Sequence, residues 1–493
     1  MTTENLSQLT LSQAHAALTS GQATSVELTH ACLEQIQRHD EQVGAFLHID
    51  KDLALQQAQA SDARRAQGSP LSKLDGIPLA LKDNILTQHM PTTAGSQILA
   101  GYQSNYDATV ARKLEAAGAV ILGKLNLDEF AMGSSNENSG YRLCRNPWDL
   151  QKAPGGSSGG AAAAVAAGMC FGALGTDTGG SIRQPAAFCG ITGLKPTYGR
   201  VSRFGVVAYG SSLDQVGPMA RDALGTAWLY EAISGFDPRD ATSVEKDVET
   251  TDAQAPQNLQ GLKIGVPKET VDLDGLDPAM AEALAHTQAQ LKAQGATIVP
   301  ISLPHTPYAI ATYYIVATAE ASSNLARFDG VRYGPRRGAD ESLDAMYNET
   351  RGQLFGQEVK RRILLGTYVL SAGYYDAYYL KALKARRKIA DDFDQAFQEV
   401  DLILSPTTPT PAFSLGEKTA DPLQMYLSDV FTISCNLAGI PGISINGGFS
   451  PDGLPLGMQL LGPAFSEKQL LETAHVLENQ FDFTQRRPQW PAS

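Results

Sequence analysis

The sequence predicts an α/β fold, and two observations lead to this prediction. Short apolar runs typical of strands alternate along most of the chain with longer stretches typical of helices, which indicates a sheet with parallel strand pairs. The chain also has 493 residues, of which 43% are hydrophobic and 18% are charged, an ordinary composition for a globular protein. A chain of this length and composition can bury a large core around such a sheet.

The first 70 residues are predicted to be helical. Thr24 and Glu27 form a possible capping box that opens a helix ending near Arg38. A second helix is expected over residues 52–67, and Gly68 ends it.

Strands and helices alternate from residue 77 to residue 234. The predicted strands are residues 77–81, 119–122 and 169–174. The predicted helices are residues 107–117, 159–167 and 222–234. Asp107 is expected to cap the first of these helices, and Gly118 to end it.

Residues 237 to about 260 are polar, acidic and rich in turn residues, and they are predicted to form a surface linker. The alternation then resumes. The predicted strands are residues 262–266, 296–301, 402–404, 443–446 and 458–461. The predicted helices are residues 278–294, 307–328, 358–398 and 428–438, followed by a C-terminal helix. Because strands lie on both sides of the linker, we expect a single domain over residues 1–493.

Charge and cysteine content limit the possible functions. The net charge of −13 makes the chain a poor binder of nucleic acid by itself, so no DNA partner is expected and any RNA would be held mainly by another subunit. The five cysteines include no C-x-x-C pair, which favours a reducing compartment. The N-terminus lacks a signal-peptide pattern, and no apolar run approaches the roughly 20 residues of a membrane span. We therefore expect a cytoplasmic protein without a membrane partner.

Two glycine-rich turns stand out between residues 154 and 184. The first reads Pro154-Gly-Gly-Ser-Ser-Gly-Gly160, and the second reads Gly175-Thr-Asp-Thr-Gly-Gly-Ser-Ile-Arg183. Glycine weakens regular structure unless the backbone must turn sharply or approach something closely. The serines could simply be helix caps: Ser157 or Ser158 after the first turn, and Ser181 after the second. The backbone N–H groups of the second turn would also suit an oxyanion.

Two serines presented by glycine turns need a base, and Lys82 is the candidate. It follows the apolar strand predicted over residues 77–81. A lysine at a strand end is usually solvated, but one that enters a buried site loses its charge through desolvation and can accept a proton. A relay from serine to serine to lysine requires no histidine.

Two other motifs are incomplete. The stretch from Gly118 to Lys124 is close to a phosphate-binding loop, but Leu125 stands where a hydroxyl must hold magnesium. The stretch Gly155-Gly-Ser-Ser-Gly159 matches the nucleophile elbow of hydrolases, yet no apolar strand precedes it. A Ser–His–Asp site would need one of the later histidines, and two of them lie on predicted amphipathic helices, where surface or core-edge positions are the simpler interpretation. These histidines are His286, His305 and His475, of which the first and last are on helices.

The two turns, with the spacing of Lys82, Ser157 and Ser181, resemble the amidase signature family. The resemblance implies that family's fold, a large mixed central sheet covered by helices on both faces. It also implies that Ser181 attacks an amide carbonyl and that Ser157, in a cis arrangement, passes the proton to neutral Lys82. Arg183 would brace the loop. The expected oxyanion donors are the backbone N–H groups of Thr178, Gly179, Gly180 and Ser181.

Four further stretches resemble the glutamine-hydrolysing branch of this family, which serves tRNA-dependent amidation. They are residues 127–135, 193–201, 320–334 and 374–379. The resemblance implies that Arg362 and Asp429 hold the α-carboxylate and α-amine of glutamine, with Tyr313 alongside. A buried zwitterion needs such partners.

The same resemblance implies the reaction and the partners. Ammonia from glutamine would amidate Glu-tRNA(Gln), or Asp-tRNA(Asn), in a partner, the B subunit, which binds tRNA, ATP and magnesium and is braced by a small C subunit. No cofactor or metal is expected in this chain. Two alternatives stay open: a stand-alone amidase for small or apolar amides, and a non-catalytic scaffold. The Arg362–Asp429 charge pair favours glutamine over an apolar amide.

Overall fold

The computed structural model describes residues 3–251, 258–271, 275–481, 483 and 485–490. The strands within these residues are β1 (Phe46–Ile49), β2 (Pro78–Lys82), β3 (Val120–Leu125), β4 (Gly172–Asp177), β5 (Thr192–Lys195), β6 (Gln215–Ala220), β7 (Lys263–Pro267), β8 (Thr297–Ile301), β9 (Leu402–Pro406), β10 (Gly442–Phe449) and β11 (Pro455–Leu461).

Helices of very different lengths connect these strands. They are α1 (Thr3–Ser7), α2 (Leu11–Ser20), α3 (Ser25–Val43), α4 (Lys51–Ala66), α5 (Thr109–Ala116), α6 (Gly159–Ala166), α7 (Arg183–Cys189), α8 (Ala223–Ile233), α9 (Lys268–Val271), α10 (Pro278–Ala293), α11 (Ala309–Asn324), α12 (Leu343–Leu354), α13 (Gln357–Leu370), α14 (Lys381–Ala396), α15 (Pro422–Tyr426), α16 (Ile433–Ala438) and α17 (Glu467–Glu478). None in the described part of the chain is long and apolar enough to cross a membrane.

The strands of the described residues form one mixed sheet. Their order is β1-β3-β2-β4-β6-β5-β10-β11-β9-β7-β8. Strand β2 is parallel to β3 and β4, and β7 is parallel to β8 and β9. The strands between these two groups pair antiparallel. The α/β prediction and the mixed sheet implied by the family resemblance are both confirmed.

Strand β9 shows how both faces of the sheet are covered. Its five residues are all buried. Leu402 and Leu404 pack in a core with Leu470 of α17, whereas Ile403 packs in a different core with Phe393 of α14. Successive side chains of a strand point to opposite faces, so these two helices cover opposite sides of the sheet.

The first 70 residues are less uniformly helical than predicted. The capping box of Thr24 and Glu27 is present, although α3 continues to Val43. Between α3 and α4 the chain forms β1, which pairs antiparallel with β3. A four-residue strand is too short for its periodicity to stand out beside two long helices.

Helix α5 begins differently from the prediction. Asp107 is not its cap: Ala108 occupies the N-cap position, and no side chain caps the helix. The carboxylate of Asp107 instead accepts a hydrogen bond from the backbone N–H of Gln88 at 2.7 Å. The carboxylate that was predicted to cap α5 therefore binds the backbone of a neighbouring loop instead.

The long helix predicted over residues 358–398 is interrupted. Helix α13 ends at Leu370, a π-helical turn spans Tyr375–Leu380, and α14 begins at Lys381. Gly373 lies in the break with φ +88°, a backbone conformation that side chains disfavour. The helix predicted over residues 428–438 likewise begins only at Ile433, because a 3₁₀ turn precedes it.

Residues 237–251 contain neither helix nor strand, and residues 252–257 lie outside the described part of the chain. The start of this segment is held by hydrogen bonds between two of its carboxylates and the loop at residues 202–203. Asp237 accepts a hydrogen bond from the Ser202 hydroxyl at 2.7 Å, and Asp240 accepts one from the Arg203 N–H at 2.8 Å. Both carboxylates are buried.

Candidate active site

Lys82 is the last residue of β2, and its side chain is fully buried between neighbouring segments. Its Nζ donates hydrogen bonds to Ser157 Oγ at 2.7 Å, to Ser158 Oγ at 2.8 Å and to Thr176 Oγ1 at 2.9 Å. Thr176 lies on β4, beside β2 in the sheet. The position of Lys82 at the end of β2 therefore places its amine within hydrogen-bond distance of Ser157 in the first glycine-rich turn. A base for Ser157 needs this proximity.

Burial changes the charge of this amine. Desolvation lowers the pKa of Lys82 to about 7, although the nearby carboxylates of Asp128, Asp177 and Asp214 favour its protonated form. A substantial fraction of Lys82 is thus neutral near neutral pH. A neutral amine has a lone pair that can take a proton from a serine hydroxyl.

Ser157 lies in a turn held by its neighbours, and the Gly156–Ser157 peptide bond is cis. The Ser157 side chain is fully buried, and its carbonyl accepts a hydrogen bond from the Asp128 N–H at 3.3 Å. Asp128 in turn accepts from the backbone N–H of Asn136 at 2.9 Å and of Asn138 at 3.1 Å. Ser158 is the N-cap residue of α6, but its side chain does not cap the helix. It contacts Lys82 instead.

Ser181 differs from Lys82 and Ser157 in being partly exposed, by 8%, whereas the other two are at 0%. Among the described residues, none hydrogen-bonds to its hydroxyl. Its carbonyl accepts a hydrogen bond from the Ser158 N–H at 3.2 Å, which ties the second glycine-rich turn to the first. Ser181 is also not the cap of α7, because Ile182 occupies that position. A free and reachable hydroxyl is what a nucleophile needs.

Asp177 organises the second turn. Its carboxylate accepts from Arg183 Nε at 3.1 Å and Nη2 at 3.2 Å, from the Gly180 N–H at 2.8 Å and from Asn436 Nδ2 at 2.8 Å. Burial alone would raise the pKa of Asp177, but the charge of Arg183 and these hydrogen bonds hold it at about 2. The carboxylate therefore stays ionised. Arg183, fully buried, also donates to the Thr432 carbonyl at 3.0 Å and so joins the turn to α16.

Two glycines shape the face of this turn. Gly180 has φ +140°, and its N–H donates a hydrogen bond to the Asp177 carboxylate. A Cβ at Gly179 would lie 2.7 Å from the Tyr313 ring, so only glycine lets that ring approach the turn. The hydrogen bonds of the described residues leave the N–H groups of Thr178, Gly179 and Ser181 without an acceptor. Of the four predicted oxyanion donors, only the Gly180 N–H has an acceptor among the described residues.

Arg362, on α13, lies in a buried cluster of tyrosines. Its guanidinium lies over the rings of Tyr209, Tyr314 and Tyr426, at 5.6, 5.2 and 5.6 Å from their centroids. Nη1 donates to the Tyr209 hydroxyl at 2.7 Å, and Nε donates to Glu358 at 2.8 Å. Nη2 has no partner among the described residues. Arg362 therefore keeps one donor nitrogen available for an anion.

Asp429 and Tyr313 lie close to the same turn. Asp429 is buried and accepts a hydrogen bond from the Ser134 hydroxyl, and burial raises the pKa of its carboxyl to about 7, although the charge of Arg362 opposes this. The Thr432 hydroxyl donates to the Gly179 carbonyl at 2.7 Å and contacts the Asp429 carbonyl at 3.1 Å. The structure thus brings Tyr313 and Asp429 to the Ser181 turn, and Arg362 is near enough to Asp429 for its charge to lower the pKa of that carboxyl.

The site is assembled from two separate parts of the chain. Lys82, Ser157 and Ser181 come from the first 190 residues, whereas the three predicted glutamine-binding residues come from α11, α13 and the turn before α16. Sequence reasoning missed several residues at the site. Ser158 and Asp177 stand inside the quoted motifs and could have been found there, but nothing local signals Tyr209, Tyr314 or Glu358.

The rejected motifs have other roles in the structure. Lys124 lies in β3, with no helix opening after Gly123, and its Nζ forms a buried ion pair with Asp83 at 2.8 Å. His305 forms a hydrogen bond with Asp392 at 2.8 Å, and His286 packs on Phe481. Neither histidine contacts a serine of the two turns.

Comparison with known proteins assigns this geometry to a family. A family model described as Amidase matches residues 27–471. The chain belongs to the amidase family. Because members of this family are enzymes, the chain is an enzyme. Its α/β fold is also that of the family's solved structures.

Relatives of this amidase carry a more specific name. Proteins from Microcystis aeruginosa and Chloroflexus aggregans, both named as the A subunit of glutamyl-tRNA(Gln) amidotransferase, are 57% and 56% identical to it. The first alignment covers 97% of this chain and 98% of the relative, and the second covers 98% of each.

Two solved structures with different names share the fold of this chain. The crystal structure of the A subunit of glutamyl-tRNA(Gln) amidotransferase from Thermotoga maritima has a TM-score of 0.83 at 42% identity and covers 99% of each chain. The native peptide amidase from Stenotrophomonas maltophilia has a TM-score of 0.82 at 31% identity, covering 98% of this chain and 99% of its own. This amidase shares its fold with both.

Proposed function

We propose that this amidase is the glutamine-hydrolysing subunit of a tRNA-dependent amidotransferase. The observation that carries the proposal is that a buried cation, Arg362, interacts electrostatically with a buried carboxyl, Asp429, which is linked through Thr432 to the turn that presents Ser181. A small apolar amide has no use for such a pair, whereas glutamine is a zwitterion whose two charges need partners. The names of relatives at 57% and 56% identity support the same activity.

The proposed reaction begins at Ser181. Its Oγ forms a bond to the side-chain amide carbon of glutamine, and its proton passes to Ser157, whose own proton passes to neutral Lys82 Nζ. The carbonyl oxygen becomes an oxyanion held by backbone N–H groups of the second turn. Losing one donor of this kind costs about 3 kcal/mol in comparable sites.

Collapse of this intermediate breaks the carbon–nitrogen bond. The leaving nitrogen takes the proton back along the same path and departs as ammonia, which leaves a glutamyl ester on Ser181. Water then attacks the ester with the same relay acting as base, and glutamate is released. Each proton taken up by Lys82 is returned within the cycle, so the relay needs no external acid.

The proposed binding mode uses the charges around Ser181. Nη2 of Arg362 would bind the α-carboxylate of glutamine, and Asp429 would bind the α-ammonium group. Tyr313 would line the pocket between these charges and Gly179. Arg183 would hold the loop through Asp177 and Thr432 and would not contact the substrate.

The proposed partners follow from the same assignment. The relatives are named as subunits, which indicates a complex with several chains. We assign tRNA binding, ATP and magnesium to a partner B subunit, with a small C subunit that completes a cytoplasmic heterotrimer. The net charge of −13 suits a chain that leaves tRNA to its partner. We further propose that residues 1–493 act as one domain.

The first test is ammonia release from glutamine by the purified chain, alone and with its co-expressed partners. We expect release that increases when partners and Glu-tRNA(Gln) or Asp-tRNA(Asn) are added, and the acceptor that increases it identifies the physiological tRNA. Hydrolysis of apolar amides by the chain alone, with no release from glutamine in either state, would instead establish a stand-alone amidase. Ammonia is measured by a coupled dehydrogenase assay, with a variant lacking the Ser181 hydroxyl as the blank.

Replacing Arg362 by alanine should separate glutamine from other amides. We expect Arg362→Ala to lower kcat/KM for glutamine by about 100-fold, which corresponds to the roughly 3 kcal/mol of a charge-assisted hydrogen bond. Hydrolysis of an amide without an α-carboxylate should not change. Arg387, on α14, has 69% side-chain exposure and forms ion pairs with Asp391 and Asp394, so Arg387→Ala is the matched control and should behave as the wild type. An equal loss in both variants, or none in Arg362→Ala, contradicts the binding role.

A further inference from the structure

One short turn, residues 128–131, physically connects the Lys82–Ser157 region with helix α13. At its start, Asp128 donates its N–H to the Ser157 carbonyl and places its carboxylate near Lys82. The two residues that follow contact the beginning of α13, which carries Arg362. The turn is therefore in contact with both halves of the site.

Glu129 makes the closer of these two contacts. It is 2% exposed, and its Oε2 accepts a hydrogen bond from the Gly356 N–H at 2.8 Å, while its Oε1 accepts one from the Ser96 hydroxyl. Gly356 is the N-cap residue of α13 and has no side chain with which to cap it. Glu129 thus supplies from a distant part of the chain the acceptor that a helix N-terminus needs.

The backbone of the turn is held in an unusual conformation. Phe130 has φ 51° and Ala131 has φ 61°, in the left-handed region that non-glycine residues rarely occupy. Such a conformation persists only where the surroundings impose it. Here the Phe130 ring packs on Phe355, with centroids 5.6 Å apart, and on Phe328 at 5.0 Å. Phe355 directly precedes Gly356. Glu129 and Phe130 of the turn therefore contact two consecutive residues at the start of α13.

We propose that Glu129 is a positioning residue that places α13, and with it Arg362, relative to the Lys82–Ser157 pair. The inference rests on the proposed function, because it concerns the residue assigned to the glutamine α-carboxylate. Arg362 lies six residues after Gly356, less than two helical turns from the contact. A shift at the start of the helix therefore moves the guanidinium with respect to Ser181.

The test compares three variants in the complex with co-expressed partners. Glu129→Met removes both acceptor oxygens at similar length, and Glu129→Gln keeps one oxygen for the Gly356 N–H. Glu478→Met is the matched control, because Glu478 accepts from the Ala223 N–H at 2.7 Å at the start of α8 and from Thr192, away from the site. The substrates are glutamine and 4-aminobutanamide, which is glutamine without its α-carboxylate.

We expect Glu129→Met to raise KM for glutamine about tenfold with kcat little changed, in line with the loss of one helix cap. Its kcat/KM for 4-aminobutanamide should stay that of the wild type, and Glu129→Gln should restore most of the glutamine KM. An unchanged KM in Glu129→Met overturns the inference, as does an equal increase in Glu478→Met or an equal loss on both substrates. If Arg362→Ala itself leaves KM unchanged, the failure lies in the proposed binding mode.

Discussion

Ser181→Ala should abolish ammonia release from glutamine, lowering kcat by about four orders of magnitude or more, as for other serine nucleophiles. The hydroxyl is the only protein group in the proposed mechanism that bonds to the substrate carbon, so neither Ser157 nor Lys82 can compensate. Folding should be unaffected, because no described residue hydrogen-bonds to this hydroxyl. Loss of activity with an unchanged melting temperature is thus the expected pair of results.

The covalent intermediate gives an independent measurement. Rapid quenching of the wild type with glutamine should give a peptide containing Ser181 that carries one glutamyl group, detectable by mass spectrometry. The alanine variant should give none. Retained turnover in Ser181→Ala, or an adduct on another residue, would assign the nucleophile elsewhere.

Lys82→Met should also remove most of the activity, and the role of Lys82 as the base predicts a pH dependence in the wild type. Only the neutral amine accepts a proton, and the pKa of Lys82 is lowered to about 7 by burial. Activity should therefore be low on the acid side and increase as pH rises through about 7, because deprotonation creates the base. Measured at saturating glutamine, kcat reports this group in the substrate complex. The variant should lose at least about a thousandfold in kcat, within the range for acid–base groups, and show no such titration.

Lys124→Met is the matched control for this variant. Lys124 is also fully buried and lies on β3, which pairs with β2, but it forms an ion pair with Asp83. Breaking such a pair leaves an uncompensated charge and costs about 3–5 kcal/mol of stability. We expect Lys124→Met to lower the free energy of unfolding while the folded fraction stays active. If both variants lose activity only through unfolding, Lys82 is not the base.

The pattern of apolar and turn residues along the sequence predicted many of the strands and helices. The elements that it did not predict depend on contacts between residues far apart in the chain. The strands that become β2, β7, β8 and β9 are apolar runs between turn signals, and they were located to within a few residues. The cap predicted at Asp107 failed because Gln88, 19 residues away, takes that carboxylate. The antiparallel centre of the sheet has no local signal, and it was expected only from the family resemblance.

The site residues likewise fall into those with a local sequence signal and those that depend on long-range contacts. Lys82, Ser157 and Ser181 could be selected because glycine turns and a strand end mark them in the sequence. Arg362 and Arg361 could not be distinguished by chemistry alone, since only the folded chain places Arg362 among buried tyrosines and leaves Arg361 half exposed in an ion pair with Glu358. Glu129 lies in one of the stretches that carry the family resemblance, but its contact could not be predicted because its partner Gly356 is 227 residues away.

The division of the site between two stretches of chain has a consequence for the family's diversity. Bond cleavage is assigned to residues up to 190, and selection of the substrate to residues beyond 300. Substitutions in α11 and α13 should therefore change the preferred amide with less effect on bond cleavage than substitutions at Thr432 or Asn436, which hold the Ser181 turn. A protein named as a peptide amidase shares this fold at 31% identity, so the same fold occurs in enzymes named for different amides. Grafting a new selectivity onto this scaffold should accordingly begin at α11 and α13.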